Sequence, residues 1–352
     1  MHVLIVKTSS LGDVIHTLPA VTDALAAVDD LRFDWLVEEA FAPILHQHPG
    51  VDRVIPVALR RRFKNRRMAR GPSWRHFLKQ LQARHYDRII DAQGLLKSVW
   101  LCLKARGPVT GLSWKSAREP LASLAYGKHI PVPWDRHAIH RVRALFAGAL
   151  NYSTPQGAPD YGLEANPPAL SAGLRKLTLG GAYLVFLHAT TWTTKQYPEA
   201  AWRTLLQLAV EDGQHVLLPW GDETERRRAQ RLCVGFEHAH VVPKQNLHNM
   251  AALLAAARGV VSVDTGLSHL AAAFNTPLVG LYGATDPLRT GTLGKNQIHF
   301  AADLDCAPCL KRACRIVREG DPPCYQSLTP QRVWEHLKKI IRLSHHGAHR
   351  GQ

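Results

Sequence analysis

Along the first part of the chain, short unbroken apolar runs alternate with stretches in which apolar residues recur every three or four positions. HVLIVK is a strand pattern and TSSLGD a turn, while VIHTLPAVTDALAAV has the spacing of a helix. FDWLVEE and RVIPV are further strand patterns, and DRIIDAQ precedes a helical stretch through LLKSVWLCLKA. Strands alternating with helices in this way predict parallel pairing through right-handed helical crossovers.

Between residues 151 and 180 the texture changes to Pro, Gly, Ser and Asn, which is linker composition. A second series then begins. AYLVFLHA, HVLLPWG, HVVPK, VVSVD and PLVGLYG are strand patterns, the last expected to be the final strand. Helical stretches separate them: PEAAWRTLLQLAVEDG, ended by Gly213, then ETERRRAQRLCVGF, HNMAALLAAARG and LSHLAAAF. An amphipathic, basic helix is expected near 330–343. The expected architecture is α/β, with two Rossmann-like doubly wound domains across a cleft. These are residues 1–165, residues 166–328, and a C-terminal helix and tail at 329–352 that packs back on the first domain. In such sheets ligands sit beyond the carboxyl ends of strands, at turns into helix N-termini.

Charge narrows the partner. The 352 residues carry a formal net charge of +16 with a pI near 9.9, so an anionic partner is expected. Residues 60–84 hold ten Lys or Arg and no Asp or Glu. A nucleic-acid-binding protein is the alternative from a different class. Aromatics make up 7% of the chain and are not concentrated in that stretch, which argues against base-stacking platforms. The N-terminus lacks the basic start and long apolar core of a signal peptide, and no run approaches the ~18–20 uncharged apolar residues that span a bilayer. The expected location is cytoplasmic. Six cysteines in such a chain do not read as a secreted disulfide framework.

The polar clusters fall at strand-to-helix turns. In Lys7-Thr8-Ser9-Ser10-Leu11-Gly12-Asp13, the Asp is either a helix-terminal cap or a general base. The turn is not G-x-G-x-x-G, which argues against a nicotinamide-dependent oxidoreductase. His188-Ala189-Thr190-Thr191-Trp192-Thr193-Thr194-Lys195 offers hydroxyls, N–H groups and a cation suited to a diphosphate, or is an ordinary capped loop. Asp264-Thr265-Gly266-Leu267-Ser268-His269 opens another helix, and Gly283-Ala284-Thr285-Asp286-Pro287 adds a third polar turn. Glu225 lies near a helix start and suits ribose or sugar hydroxyls as well as it suits capping.

Taken together, VLIVKTSSLGDVIHTLPA, FDWLVEE, RVIPVALRR, DAQGLLKS, AREPLAS, VFLHATT, LPWG, VVSVDTGLSHL and YGATDP with GKNQ resemble the lipopolysaccharide heptosyltransferases of glycosyltransferase family 9, which have the GT-B fold. LVEE, DAQGLLKS and AREPLAS resemble in particular the branch that adds the first heptose. The resemblance implies inverting transfer of L-glycero-D-manno-heptose from ADP-heptose to the Kdo of Kdo2-lipid A, with addition of a later core sugar as the alternative. It implies Asp13 as catalytic base, with Lys195 offsetting leaving-group charge. Thr190, Thr191 and Lys195 match diphosphate contacts; Glu225, Asp264, Thr265, Gly266 and His269 match nucleotide or heptose contacts. Lys7, Ser10, Arg60, Arg61, Lys64, Arg118 and His137 match the acceptor side. No cofactor is required by this reading. The expected protein is a monomer, peripheral on the cytoplasmic face of the inner membrane through its charge and its C-terminal helix.

Two features depart from that pattern. Cys306, Cys309, Cys314 and Cys324 have the count of a structural Zn²⁺ or Fe–S site but not the spacing of paired knuckles, and buried or surface thiols are the favoured reading. Gln245-Asn246 stands where similar enzymes carry Met-Ser beside the adenine.

Overall fold

The computed structural model describes residues 1–59, 72–163, 167–178, 181–317 and 320–348. The chain divides into two units, Met1–Ala165 and Asn166–Gln352.

In the first unit, β1 (His2–Val6), β2 (Arg32–Glu38), β3 (Val51–Val57), β4 (Arg88–Asp91), β5 (Val109–Leu112) and β6 (Lys128–Ile130) form one parallel sheet in the order β3-β2-β1-β4-β5-β6. Val3, Leu4, Ile5 and Val6 are fully buried, as a central strand covered on both faces must be. Leu4 and Val6 meet Phe77, Leu81, Val99 and Leu101 on one side. The helices Leu18–Ala27 and Ala138–Leu150 pack against each other, and a buried ion pair ties them. Arg143 Nε donates to Asp23 Oδ2 at 2.5 Å, and Arg143 Nη1 donates to the Gly157 carbonyl at 2.8 Å. β5, β6 and the Ala138–Leu150 helix were not among the expected elements. VTGL and KHI are too short to show a period, so pairing of β5 with β4 and of β6 with β5, rather than local pattern, makes them strands.

The second unit repeats the plan. β7 (Tyr183–Leu187), β8 (His215–Leu218), β9 (Ala239–Val241), β10 (Gly259–Val263), β11 (Leu278–Tyr282) and β12 (Gln297–Ala301) form a parallel sheet in the order β12-β11-β10-β7-β8-β9. Counted from its own first strand, this is the same 3-2-1-4-5-6 order as the first unit. The expectation that PLVGLYG is the last strand is corrected by β12, whose sequence QIHFA is polar and partly exposed because it lies at the sheet edge.

The C-terminal helix spans Pro330–Ala348. Within its own unit it lies against the Glu199–Glu211 helix and against β10 and β11. Val333, Trp334, Leu337, Ile340 and Ile341 join the core that contains Trp202, Leu205 and Val261. Asp212 fixes the register by accepting hydrogen bonds from Trp334 Nε1 and Lys338 Nζ, both at 2.9 Å. Its apolar face helps to close this core.

Candidate active site

In each unit the first and fourth strands are neighbours, and the chain leaves them toward opposite edges of the sheet. Loops leaving such a switch point form a crevice where backbone N–H groups and helix N-termini face a ligand. In the first unit these loops follow β1 and β4; in the second they follow β7 and β10.

Asp13 lies in the short helix Leu11–Ile15 directly after β1. Its Oδ2 accepts from Ser10 N–H and from Ser10 Oγ, each at 2.8 Å, so the capping contact exists. Lys7 Nζ stands 3.8 Å from Asp13 Oδ1, and the Asp13 side chain keeps 42% of its surface exposed. Crowding by protein opposes ionisation, but the Lys7 charge, the two Ser10 hydrogen bonds and the Arg118 charge outweigh it and hold the carboxyl below its usual range. Asp13 therefore joins a capping box and is also an ionised, accessible carboxylate.

The loop after β4 supports this turn. Gln93 Oε1 accepts from the N–H groups of Thr8 and Ser9 at 3.1 and 3.2 Å. Lys7 Nζ donates to the Ala92 carbonyl at 2.9 Å. Asp91 organises the loop from beneath, with Oδ1 accepting from Gln93 N–H at 2.9 Å and Gly94 N–H at 3.0 Å. Its Oδ2 accepts from Ser98 Oγ at 2.9 Å and Tyr126 OH at 2.8 Å. Complete burial raises the Asp91 carboxyl, and these four hydrogen bonds oppose that rise. Gly94 turns the chain at φ +65°, a conformation other residues adopt only with strain. Asp91 and Gln93 carry this geometry, and DAQGLLKS marked the segment without marking their roles.

In the second unit Lys195 Nζ lies 2.7 Å from Asp264 Oδ2, and the two side chains are 16% and 9% exposed. Thr285 Oγ1 donates to the same oxygen at 2.6 Å, so the third polar turn belongs to this site. Thr190 Oγ1 donates to the Asp264 carbonyl at 3.2 Å, joining the loops after β7 and β10. The Lys195 ammonium also sits 4.4 Å from the Trp192 ring centroid, with the Arg312 guanidinium 5.5 Å from the same ring. Thr265 begins the helix Gly266–Ala273 without a side-chain cap, although Ser268 N–H donates to the Thr265 carbonyl at 3.2 Å, and the positive end of the helix dipole faces this turn.

The remaining expected residues separate. His269 is buried at 4% exposure within the Gly266–Ala273 helix, and Thr191 is exposed on its loop. Glu225 Oε2 accepts from Gly221 N–H at 2.7 Å, and its own N–H donates to Asp222 Oδ1 at 3.0 Å, which is helix capping at the end of β8. Trp220 stands beside it, with Nε1 donating to the Val242 carbonyl at 2.7 Å. On the first unit Lys7 is nearly buried and committed to Ala92 and Asp13. Arg118 is exposed. His137 caps the Ala138–Leu150 helix, its Nδ1 accepting from Ile139 N–H at 3.2 Å, with its ring 5.9 Å from that of His16. Arg60, Arg61 and Lys64 lie outside the described residues.

The cysteine segment supports the Lys195 loop through its backbone. The Lys311 and Arg312 carbonyls accept from Thr194 Oγ1 at 2.5 Å and Thr193 Oγ1 at 2.8 Å. Burial raises the Cys324 thiol, and Cys314, Cys309 and Cys306 reinforce that rise. Among the described residues no group of three or more His, Cys, Asp or Glu is arranged to hold a metal ion.

Residues 74–318 match the family model for glycosyltransferase family 9 (heptosyltransferase). The chain is 49% identical to lipopolysaccharide heptosyltransferase 1 of Pseudomonas aeruginosa, covering 97% of this chain and 98% of that one. Among solved structures it is similar to the Escherichia coli heptosyltransferase WaaC with ADP, at 43% identity and TM-score 0.83 over 97% of this chain and 100% of that chain. The same enzyme with ADP-2-deoxy-2-fluoro heptose gives 47% identity and TM-score 0.76 over 86% and 94% of the two chains. With two six-stranded parallel sheets of one strand order and ionisable clusters at both switch points, the chain belongs to glycosyltransferase family 9, the heptosyltransferases, and has their GT-B architecture.

Proposed function

We propose that this enzyme transfers L-glycero-D-manno-heptose from ADP-heptose to a Kdo hydroxyl of Kdo2-lipid A, with inversion at the anomeric carbon and without a cofactor. The observation that carries the reading is the near full-length likeness to heptosyltransferase 1, 49% identical over 97% of the chain. The site chemistry supports it.

Asp13, held ionised by Lys7 and Ser10, takes the proton of the acceptor hydroxyl. The freed oxygen forms a bond to the anomeric carbon as the bond to the ADP β-phosphate oxygen breaks, and ADP leaves with that electron pair. Lys195 and the uncapped N-terminus of Gly266–Ala273 lower the energy of the departing diphosphate. Asp264 and Thr285 hold the Lys195 ammonium in place for this task. Thr190, Thr191 and Thr265 supply further donors to the diphosphate. Gly266 admits its close approach, and Glu225 and His269 complete the nucleotide and heptose contacts. Lys7, Ser10, Arg118 and His137 serve the acceptor side, Lys7 through Asp13 rather than by direct contact. The polyanionic, lipid-linked acceptor gives the net charge of +16 its purpose and places the enzyme, as a monomer, on the cytoplasmic face of the inner membrane. No helix among the described residues is long and apolar enough to cross that membrane.

The test is ADP release from ADP-heptose with Kdo2-lipid A, wild type beside Asp13→Ala. Acceptor-dependent release that falls about 10²–10⁴-fold in the variant is expected. Release with an already heptosylated core but not with Kdo2-lipid A would transfer the assignment to a later heptose.

A further inference from the structure

A surface helix of a globular protein shows one apolar stripe, turned inward. The helix Leu96–Cys102 shows two. Val99, Leu101 and Cys102 are buried in the first unit's core. On the opposite side Leu96, Trp100 and Leu103 are 51%, 37% and 61% exposed, and their spacing of four and then three residues aligns them in one outward stripe. The neighbouring 3-10 helix Pro120–Ala125 repeats the device. Leu121 and Leu124 are 57% and 73% exposed, and at three residues per turn they eclipse on a single edge.

These two elements form one surface. Leu96 N–H donates to Glu119 Oε2 at 2.7 Å, and Glu119 N–H donates to the Gly94 carbonyl at 3.3 Å. The Trp100 ring stacks on Trp74 at 5.3 Å, so the indole is held outward by packing. Exposed leucines and a tryptophan on two adjoining elements are costly in water and mark a contact surface. Its charge selects the partner. From residue 94 to 125 the chain carries Lys97, Lys104, Arg106, Lys115 and Arg118 against the single acid Glu119, which is engaged at Leu96. Leucine and tryptophan interleaved with cations, without free acids, is the chemistry of an anionic lipid interface.

The C-terminal helix cannot supply this contact, because its apolar residues Val333, Trp334, Leu337, Ile340 and Ile341 close the second core. The exposed stripes instead adjoin the Asp13 site. Arg118 lies at the edge between them: its charge acts on Asp13, and its backbone nitrogen stands 4.0 Å from the Cβ position of Gly94.

We infer that the outward faces of Leu96–Cys102 and Pro120–Ala125 form the membrane-docking surface of the enzyme. Leu96, Trp100, Leu103, Leu121 and Leu124 enter the interfacial layer, and the flanking cations meet anionic headgroups. The inference rests on the reading above that the acceptor is a membrane lipid. Docking on this face brings the first unit's switch point to the layer in which the acceptor's sugars lie.

The experiment is flotation of the full-length protein with vesicles of phosphatidylethanolamine and phosphatidylglycerol at physiological salt. Wild type is compared with the fourfold variant Leu96→Gln, Leu103→Gln, Leu121→Gln, Leu124→Gln and with Lys338→Gln, Lys339→Gln on the C-terminal helix. The fourfold variant is expected to lose vesicle partitioning by about tenfold or more, because several buried hydrocarbon groups leave the interface together. The C-terminal variant should keep most of it. Transfer to a soluble Kdo acceptor without acyl chains should match wild type in the fourfold variant, which shows its fold intact, while turnover on Kdo2-lipid A in vesicles falls. Undiminished flotation of the fourfold variant would overturn the assignment of this face. So would a wild-type dimer that the variant converts to monomer, which would make the stripes an interface between copies. Wild type that stays off the vesicles would overturn peripheral membrane association itself. The soluble-acceptor rate tests the transferase reading independently of all three outcomes.

Discussion

At the scale of single residues, the proposed chemistry turns on what surrounds one carboxylate. A base must be ionised and must still reach its proton. Asp13 meets both demands because Lys7, Ser10 and Arg118 favour its charge while 42% of its side-chain surface stays open. Lys7 is 7% exposed and its ammonium is fixed to the Ala92 carbonyl, so its charge stays aimed at Asp13. The sign of the pH dependence follows. A depressed carboxyl keeps the base form through neutral pH, and with Asp13 as the proposed base, activity is expected to be lost only as pH falls through the lowered value. Lys7→Met removes one of the stabilising charges and leaves the desolvation, so the carboxyl rises. The acid limb of kcat/KM is then expected to move to higher pH, with the neutral plateau reduced less than in Asp13→Ala. A pH–rate profile of the variant reads this directly, and an unmoved acid limb would show that Lys7 serves the acceptor and not the base.

At the scale of elements, legibility followed hydrophobic period. HVLIVK, AYLVFLHA and VVSVD are buried central strands, and their continuous apolar runs declared them. The short strands β5, β6 and β12 have no such run, since partners and not residue patterns define them. Site residues divided similarly. Asp13, Lys195 and Asp264 stand in polar turns next to helix starts, where sequence draws attention. Gln93 accepts from Thr8 and Ser9, 85 and 84 positions away, and Asp91 accepts from Tyr126, 35 positions away, which no local spacing could show. The C-terminal helix was legible as amphipathic, but the sheet receiving its apolar face was not. That packing has a measurable worth. Leu337 is fully buried among strands and helices of the second core. Leu337→Ala is expected to destabilise the second unit by about 2–5 kcal/mol, read from denaturant unfolding. A loss below about 1 kcal/mol would mean that the helix is not integral to that core.

At the scale of the whole molecule, each unit carries a deeply buried histidine whose pKa is lowered to about 4, and both contribute to the response to acid. His48, in the first unit, is 3% exposed and has both ring nitrogens engaged. Nδ1 accepts from Gly50 N–H at 3.1 Å, which leaves Nε2–H to donate to Thr22 Oγ1 at 3.1 Å. A second proton would have to sit on Nδ1, against the Gly50 N–H that it now accepts from. Burial lowers its pKa from 6.5 to about 4, although the Asp160 charge pulls the other way. His188, fully buried at the end of β7, is lowered to about 4 first by burial and then by the Arg228 charge. For both groups the unfolded chain binds the proton more readily than the folded one. Stability is therefore whole above about pH 6.5 and falls as pH drops from there toward 4, by roughly 3 kcal/mol at most for each histidine. Depressed carboxylates such as Asp13, Asp52 and Glu199 lose their contribution only at lower pH, which keeps the histidine window distinct. Urea unfolding followed from pH 7.5 to 4.5 should show a declining midpoint. His48→Asn, which keeps an acceptor for Gly50 N–H but cannot titrate, should lower the midpoint at pH 7.5 and flatten its decline. A slope unchanged in His48→Asn would mean that the acid sensitivity of the first unit arises elsewhere, and the same comparison with His188→Asn would decide the second.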